Sequence, residues 1–255
     1  LMAAIGASGT NAYTGYDVTC YVEDIPSNQL DNWARIQADR FKNNVIRGFH
    51  TELETVYEEK NMSLTQDGRK VIDAILAALY TKHPYGTQTI LGSQDHLKNP
   101  SITNIKNFYK QWYVPNNMAI CMSGDFDYDE AMEVIEKYFG DMQPNKDLQM
   151  LDFAAEDEIT APVEREVLGL ESENVTMAWR LPGATSEEAL MLEVVDAIMN
   201  NGKAGIIDLN LLQEQKLLSA YSFPYAMADY TSYILQGTPK EGQDLDEVRA
   251  MMLAQ

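Results

Sequence analysis

In the first part of the chain the spacing of hydrophobic residues changes from the spacing of a strand to that of a helix. From Asp17 to Val22 apolar residues alternate with more polar ones, which is the period-2 pattern of a strand buried on one face. Pro26 interrupts this pattern, and from Asn28 to Phe41 the apolar residues recur at the spacing of an amphipathic helix. A strand followed by a helix is therefore predicted.

The rest of the chain contains further helical patterns and one continuous apolar run. Helices are predicted over Gly48–Leu64, Val71–Tyr80, Ser101–Tyr113 and Tyr128–Phe139, and from near Asp244. The run Met118–Ser123 is typical of a central strand. Lys82–Gly86 is predicted to be a loop, because it contains a proline and a glycine.

A polar, acidic stretch separates two parts of the sequence. We predict a first α+β subdomain over residues 1–145, an acidic linker over 146–162, and a second subdomain over 163–255. Val175-Thr176 and Asn200-Asn201 repeat Val18-Thr19 and Asn43-Asn44 at an offset of 157. A strand, a helix and an asparagine pair thus occur twice, which favours a duplicated unit.

The net charge changes the range of possible partners. The chain has 39 acidic and 19 basic residues, which leaves a formal charge of -20. Nucleic-acid binding requires basic surfaces that face the phosphates, so neither nucleic acid nor an anionic membrane surface is expected as a partner.

No apolar run reaches the roughly 20 residues that span a bilayer. The chain does not begin with methionine or a basic leader, and we expect it to be an internal fragment.

Two cysteines lie in apolar, strand-like segments. Cys20 and Cys121 do not have the spacing of metal ligands, and we expect buried free thiols at both positions.

Two glutamates provide the clearest candidate chemistry. Glu52 and Glu59 are seven residues apart in the predicted second helix, so they project from nearly the same face. Paired carboxylates of this kind can hold and tune a metal ion. Glu54 and Glu58 flank the pair, however, and a solvated acidic face explains all four residues equally well.

The repeat bears on this choice. At the offset of 157, Glu52 and Glu59 correspond to Leu209 and Lys216, so the second copy would have the helix without the paired carboxylates. A pair present in only one copy favours a special role there, and both interpretations stay open.

A string of short motifs in this order resembles a known family. They are Asn11-Ala12-Tyr13-Thr14, Asp17 and Thr19, Ala38-Asp39-Arg40-Phe41, Glu52 with Glu59, Lys82-His83-Pro84-Tyr85-Gly86, Phe108-Tyr109, Pro115-Asn116-Asn117-Met118 and Gly124-Asp125. The string resembles the pitrilysin/insulinase family of inverted zinc peptidases, which includes the mitochondrial processing peptidases. The resemblance covers most of residues 6–140 and, more weakly, residues 165–255.

The resemblance implies a fold and a cofactor. The fold is α+β, with two similar subdomains, each a mostly antiparallel sheet with helices packed on it, and with the second subdomain truncated. Family members bind zinc through an H-x-x-E-H helix and a distal glutamate. By position, Glu59 matches that distal zinc ligand, and Glu52 matches a supporting catalytic carboxylate that does not touch the metal.

The sequence departs from the family pattern at the metal site. Its three histidines, His50, His83 and His96, do not form H-x-x-E-H. In the family that motif precedes the Asn-Ala-x-Thr strand, so the catalytic helix is missing from this chain. A lone Glu59 cannot hold zinc, and we expect this fragment to be metal-free and inactive. His50 shares a helix face with Glu54, but two ligands do not make a zinc site.

The resemblance also implies partners. Asn11, Ala12, Tyr13 and Thr14 match the edge strand to which the family's extended peptide substrates add a strand, although an ordinary edge strand is the simpler alternative. The homologous second half of the parent, or a second subunit, would close over this half. The sequence thus predicts a fragment of a zinc endopeptidase; the alternative is a catalytically silent homologue that serves as a structural or peptide-binding subunit.

Overall fold

The computed structural model describes all 255 residues and divides them into two compact units. The first unit contains Leu1–Lys60 and Leu91–Asp152, and the second contains Asn61–Ile90 and Phe153–Gln255. Both units combine helices with antiparallel strands, which confirms the α+β fold class. None of the helices combines the length and the hydrophobicity that a transmembrane segment requires.

The chain contains nine α-helices and five strands, and seven of the helices follow one another between the second and the third strand. The helices are α1 (Leu30–Lys42), α2 (Phe49–Ser63), α3 (Asp67–Leu79), α4 (Pro84–Thr87), α5 (Gln94–Lys98), α6 (Ile102–Trp112), α7 (Tyr128–Phe139), α8 (Glu187–Met199) and α9 (Leu245–Leu253). The strands are β1 (Ser8–Thr14), β2 (Thr19–Asp24), β3 (Val175–Pro182), β4 (Ser219–Ala226) and β5 (Tyr230–Thr238). A π-helical segment covers Asp208–Gln213.

Helical periodicity predicted the longer helices correctly. The predicted helices over 28–41, 48–64, 71–80, 101–113 and 128–139 appear as α1, α2, α3, α6 and α7, and the helix near Asp244 appears as α9. Side-chain caps fix several of these starts: the Asp127 carboxylate, for example, accepts a hydrogen bond from the backbone N–H of Glu130 at the beginning of α7. Local patterns were sufficient here because helix hydrogen bonds are local.

The first unit is built around the β1–β2 hairpin, α1 and α7. In the hairpin Thr14 lies opposite Thr19. Ala34 and Ala38 are fully buried on α1, which packs against α7. Two more contacts join these helices, one between the rings of Trp33 and Phe139 and one ion pair from Lys137 to Asp31 at 2.7 Å.

The second unit contains a three-stranded antiparallel sheet in which β5 lies between β3 and β4. One face of the sheet packs against a core that includes Ile207, Leu211 and Val248. Ser232 lies on the opposite face, where its hydroxyl is 2.7 Å from the Tyr80 hydroxyl at the C-terminal end of α3. Both faces of this sheet are therefore covered by helices.

Residues 61–90 belong to the second compact unit, although the predicted first subdomain included them. The physical reason is aromatic packing: the rings of Tyr80 and His83 both contact Tyr230, and His83 also contacts Phe153. The subdomain ranges 1–145 and 163–255 stay a prediction, because compactness does not test where a repeat begins.

Three local predictions were wrong. Met118–Ser123 forms no strand, and Cys121 within it is exposed rather than buried, because a strand requires a neighbour that shares its ladder. Cys20 is only half-buried, although both cysteines are free thiols as expected. Within the predicted loop Lys82–Gly86, a short helix begins at Pro84, since proline is favoured in the first turn.

The two hairpins repeat each other at an offset of 212. Thr14 pairs with Thr19 in the first hairpin, and Ala226 pairs with Thr231 in the second. The pairs of Asn11, Ala12 and Tyr13 follow the same offset, whereas the pair Ser8–Asp24 does not, because the register shifts between Ser8 and Asn11. Each hairpin leads into a helix, α1 or α9. The offset of 157 does not reproduce this pairing, because β2 pairs with the strand before it whereas β3 pairs with β5, which follows it.

This correspondence corrects one inference from the sequence. At an offset of 212 the counterparts of Glu52 and Glu59 would lie beyond Gln255, so Leu209 and Lys216 are not their equivalents. The contrast between the two repeats therefore gives no support to a special role for the glutamates, and their case must rest on the first unit alone.

Candidate functional site

Helix α2 carries the candidate carboxylates. The helix follows Gly48, whose φ of +62° suits glycine, and the Glu52 N–H donates to the Gly48 carbonyl. Glu52 and Glu59 are both exposed on α2, with the half-buried Val56 between them. Neither carboxylate has a hydrogen-bond or ion-pair partner in this chain. Both are therefore available to a group outside it.

Exposure does not separate the pair from its neighbours. Glu54 is also exposed on α2, so the helix presents carboxylates around much of its circumference. The structure thus leaves the roles predicted for Glu52 and Glu59 untested, and it is compatible with a solvated acidic face as well.

The three histidines have separate environments. His50 is exposed on α2, where its ring contacts Phe49 with a centroid distance of 5.7 Å. His96 belongs to the cap of α5, in which its Nδ1 accepts a hydrogen bond from the Ser93 N–H at 3.3 Å. Neither arrangement places an imidazole in a set of metal donors.

His83 is buried in the second unit and has a defined tautomer. Its Nδ1 accepts a hydrogen bond from the Tyr85 N–H at 3.2 Å, and its Nε2 lies 3.1 Å from the Asp229 carboxylate. Because Nδ1 is an acceptor, the proton of the neutral ring is on Nε2 and is donated to Asp229. His83 therefore fixes the loop before α4 instead of serving as a free base.

Strand β1 contains the predicted substrate-binding residues. Asn11, Ala12, Tyr13 and Thr14 are all exposed, and they pair with β2 along one edge only. The other edge of β1 has no neighbouring strand, because the sheet contains only two strands. Its backbone N–H and C=O groups are consequently free to pair with another chain.

A buried carboxylate that the sequence analysis missed holds this hairpin against α1. The Glu23 side chain is 4% exposed; it accepts hydrogen bonds from Gln37 Nε2 at 2.5 Å and Trp33 Nε1 at 3.4 Å, and Arg40 lies 3.6 Å away. The donors recur on one face of α1 at intervals of three or four residues, a signal that could have been read from the sequence. Because Glu23 is the residue before the end of β2, these bonds orient the hairpin.

A second buried carboxylate lies in the predicted acidic linker. The Glu156 side chain is 1% exposed and accepts hydrogen bonds from the backbone N–H groups of Lys82 and His83, both at 2.7 Å. Arg180 lies 3.7 Å from it. Burial raises the pKa of Glu156, but the backbone donors outweigh that effect and hold its pKa below the ordinary value. This part of the linker is therefore an integral piece of the second unit.

Comparison with known proteins identifies the family. The sequence profile described as Peptidase M16 inactive domain matches residues 101–255, which is more than half of the chain. The chain belongs to the M16 peptidase family. This result confirms the resemblance to the pitrilysin/insulinase peptidases that the short motifs indicated.

Similar M16 proteins include a zinc protease, PqqE, of Helicobacter pylori, which is 22% identical over 235 residues, or 88% of this chain and 52% of the relative. The crystal structure of a protease from the same organism has a TM-score of 0.84 at 19% identity. The match covers 99% of this chain and 62% of that protein's chain. The first half of the periplasmic protease PqqL from Escherichia coli has a TM-score of 0.70 at 19% identity, over 95% of this chain and 54% of its own.

The M16 chain spans about a third to a half of the length of the curated relatives that it matches. At the low identities of the solved structures, the likeness shows the fold alone. The names of the relatives place zinc in the family, but the residues of this chain do not fit a zinc ion by themselves. No three side chains among its histidines, cysteines, aspartates and glutamates are arranged to hold a metal.

Proposed function

We propose that this M16 chain is part of a zinc-dependent endopeptidase that hydrolyses extended peptides, and that the chain alone is inactive. In the longer protein Glu59 is a zinc ligand and Glu52 supports the site, with the imidazole ligands supplied by polypeptide outside this chain. The observation that carries the proposal is the pair of exposed, unpartnered carboxylates on one face of α2, in a family whose relatives are named zinc proteases.

The free edge of β1 supports the substrate class. A peptide that pairs as an added strand with residues Asn11 to Thr14 gains backbone hydrogen bonds. Because these bonds do not involve side chains, peptides of many different sequences can bind in this way. Only an unfolded or extended peptide can pair in this way. A formal charge of -20 favours the approach of neutral or basic peptides over acidic ones.

The second candidate is a catalytically silent homologue that acts as a structural or peptide-binding subunit. The match of residues 101–255 to a domain described as inactive and the incomplete metal site in the chain are compatible with this candidate, although the peptidase proposal expects both as well. Both candidates use the edge of β1, but only the peptidase needs Glu59. The longer protein discriminates between them, because the peptidase requires an H-x-x-E-H helix next to this segment.

The test compares Glu59→Gln with Glu54→Gln in the longer protein. Loss of a metal ligand should remove zinc and lower hydrolysis of an unstructured peptide by more than about 100-fold, since the site then has too few ligands. Glu54→Gln is the matched control, because it removes the same charge from the same helix. Zinc is measured by elemental analysis and hydrolysis by cleavage of a fluorogenic peptide.

Two outcomes would overturn the proposal. Equal, mild effects of Glu59→Gln and Glu54→Gln on zinc content and hydrolysis would reduce both residues to an acidic surface. A zinc content near one per chain in the isolated 255-residue protein at neutral pH would contradict the view that it is metal-free.

A further inference from the structure

The loop between α8 and the π-helical segment contains the only Asn-Gly dipeptide of the chain, Asn201-Gly202. Asparagine is a thermolabile residue, because the backbone nitrogen of the next residue can attack its side-chain amide carbon. Glycine is the residue that obstructs this attack least, since it has no Cβ. Whether the reaction occurs then depends on how the fold holds the amide and the attacking nitrogen.

Three hydrogen bonds hold the Asn201 amide in one arrangement. Its Oδ1 accepts from the backbone N–H groups of Lys203 at 3.1 Å and of Ala204 at 2.9 Å. Its Nδ2 donates to the carbonyl of Ala197 at 2.9 Å. These contacts assign the two ends of the amide, because the oxygen meets only donors and the nitrogen meets an acceptor.

The same three contacts match the charges that develop during deamidation. When the amide carbon is attacked, negative charge moves onto Oδ1, and two backbone N–H groups that already point at this atom stabilise an oxyanion there. The leaving nitrogen takes up a proton and becomes positive, so that its hydrogen bond to the Ala197 carbonyl becomes charge-assisted. The loop is therefore complementary to the transition state at both ends of the amide.

The attacking nitrogen is accessible. Gly202 is exposed, and its N–H has no hydrogen-bond partner in this chain, so no helix or strand protects it from base in the solvent. Its φ of +74° lies in the left-handed region, and no atom lies within 4 Å of the place where a Cβ would be. Space is thus available for the loop to rearrange into a five-membered ring.

We propose that Asn201 is a site of self-catalysed deamidation. The Gly202 nitrogen loses its proton to base and forms a bond to Asn201 Cγ. The Cγ–Nδ2 bond then breaks, and the nitrogen leaves as ammonia after it has taken up a proton. Water opens the resulting succinimide at either of its carbonyls, which leaves aspartate or isoaspartate at this position.

The product would weaken the anchor of the loop. The buried Asp208 carboxylate holds the loop through one oxygen, which accepts from the N–H groups of Asn201 at 3.0 Å, Lys203 at 3.1 Å and Gly205 at 3.0 Å. A new carboxylate at position 201 competes for the Lys203 N–H and adds a like charge beside Asp208. Isoaspartate also lengthens the backbone by a methylene group. Because Asp208 leads into the buried Leu211, we expect the second unit to become less stable.

The contacts that carry this inference all lie within residues 197–208 of the second unit. They therefore do not depend on polypeptide that adjoins this chain, and they include none of the residues assigned to the proposed peptidase site.

The test compares the folded 255-residue protein with a synthetic peptide of residues 196–208 in the same mildly alkaline buffer. Peptide mapping by mass spectrometry follows the replacement of the amide by a carboxyl group at Asn201. We expect the reaction to be at least about tenfold faster in the folded protein, because the peptide lacks the fixed N–H donors. Asn210, which is exposed and followed by Leu211, is the internal control and should stay unmodified over the same period.

Two variants test the N–H donors. Ala204→Pro removes the donor at 2.9 Å and should slow the reaction of the folded protein at least about tenfold. Ala204→Ser is the matched control, because it keeps the N–H at the same exposed position and should react at the rate of the unsubstituted protein. Far-UV circular dichroism verifies that each variant is folded.

The effect on stability is measured on the protein before and after conversion. Trp179 fluorescence follows urea unfolding of the second unit in a protein that carries Trp33→Phe and Trp112→Phe. The converted protein should unfold at a lower urea concentration. An unchanged midpoint would contradict the assigned role of Asp208 in holding the loop.

Three further results would overturn this inference. A rate in the folded protein equal to or below that of the peptide would mean that the loop does not promote the reaction, and this comparison requires no variant. Conversion of Asn210 as fast as that of Asn201 would remove the special position of the Asn-Gly dipeptide. Equal rates for folded Ala204→Pro and Ala204→Ser would show that the N–H donors do not contribute.

Discussion

The two hairpins of this M16 chain share a register and differ in burial. Four residues are identical at the offset of 212, and these pairs are Tyr13 and Tyr225, Asp17 and Asp229, Thr19 and Thr231, and Tyr21 and Tyr233. No residue of β2 is nevertheless buried, whereas its counterpart β5 is buried along most of its length. The same local sequence pattern thus produces an open ribbon in one unit and the centre of a sheet in the other.

The difference teaches that a hairpin's own sequence sets its register but not its stability. In the second unit β3 pairs with β5, and helices cover both faces of the sheet. In the first unit the hairpin contacts α1, through Gln37 with Glu23 and Phe41 with Tyr21, and β1 has an unpaired edge. An isolated two-stranded ribbon is only marginally stable, so its open edge is suited to pairing with another chain.

The largest expected effect compares one pair of equivalent positions. Ile234 is 1% exposed in β5, and its counterpart Val22 is 40% exposed in β2. Ile234→Ala should lower the free energy of unfolding of the second unit by about 2–5 kcal/mol, because it leaves a cavity. Val22→Ala should cost the first unit less than about 1 kcal/mol, since much of that side chain already contacts water.

Tryptophan fluorescence during urea unfolding can measure the two units separately. Trp179 alone reports on the second unit after Trp33→Phe and Trp112→Phe, and Trp33 alone reports on the first after Trp112→Phe and Trp179→Phe. Equal costs of Ile234→Ala and Val22→Ala would show that the first hairpin is as well packed as the second, and the comparison would fail.

The next effect concerns the linker. Glu156→Gln should destabilise the second unit by about 2–3 kcal/mol, because the amide replaces one acceptor oxygen by a donor and leaves Arg180 without its charged partner. Glu158→Gln is the matched control and should change stability by less than about 0.5 kcal/mol, since that residue is exposed. The Trp179 reporter measures both, and equal small effects would mean that residues 153–157 are only a tether.

Features that depend on local interactions could be predicted from the sequence, whereas features that depend on distant residues could not. The helices could be predicted because their hydrogen bonds and apolar faces recur within a few residues, as in Tyr128–Phe139. Met118–Ser123 was predicted as a strand from its apolar residues, but no second segment pairs with it. The burial of Glu156 could not be predicted either, because its donors lie more than 70 residues away.

The candidate site was predictable only in part. The seven-residue spacing placed Glu52 and Glu59 on one helix face, and α2 has that helix. The offset of 157 came from short matches such as Val18-Thr19, whereas the register of the hairpins favours 212. Tyr13 and Tyr225 were a visible signal of the better offset, but strand pairing was needed to choose between the two.

A smaller effect is expected on acidification. The Lys70 ammonium and the backbone N–H groups of Glu171 and Leu170 hold the pKa of Asp67 below its usual range in the second unit. A group whose pKa is lower in the folded state stabilises the fold above its unfolded pKa of about 3.9, and this stability is lost as the pH falls through the folded pKa. The second unit should therefore lose stability as the pH falls below about 4.

High salt and the substitution Asp67→Asn test the origin of this acid response. Asp31 and Asp141 in the first unit also have lowered pKa values, through Lys137 and Lys42, but both carboxylates are largely exposed. About 1 M salt should therefore flatten the acid response of the first unit more than that of the second. Asp67→Asn should flatten the response of the second unit alone, as followed by Trp179 fluorescence from pH 5 to 3, and an unchanged response would remove Asp67 from this account.

The smallest expected effect on stability belongs to the candidate metal ligand. Glu59→Gln should change the unfolding free energy of this chain by less than about 0.5 kcal/mol, and Glu54→Gln should do the same, because both side chains are exposed without partners. Glu23→Gln, which breaks buried hydrogen bonds to α1, should cost the first unit more than either. If Glu59→Gln lowered the unfolding free energy as much as Glu23→Gln, Glu59 would be a residue that stabilises the fold. A negligible change in the unfolding free energy for Glu59→Gln, combined with loss of zinc in the longer protein, would instead indicate that Glu59 serves to bind a ligand. The reason is that its carboxylate makes no contact within this chain that stabilises the fold.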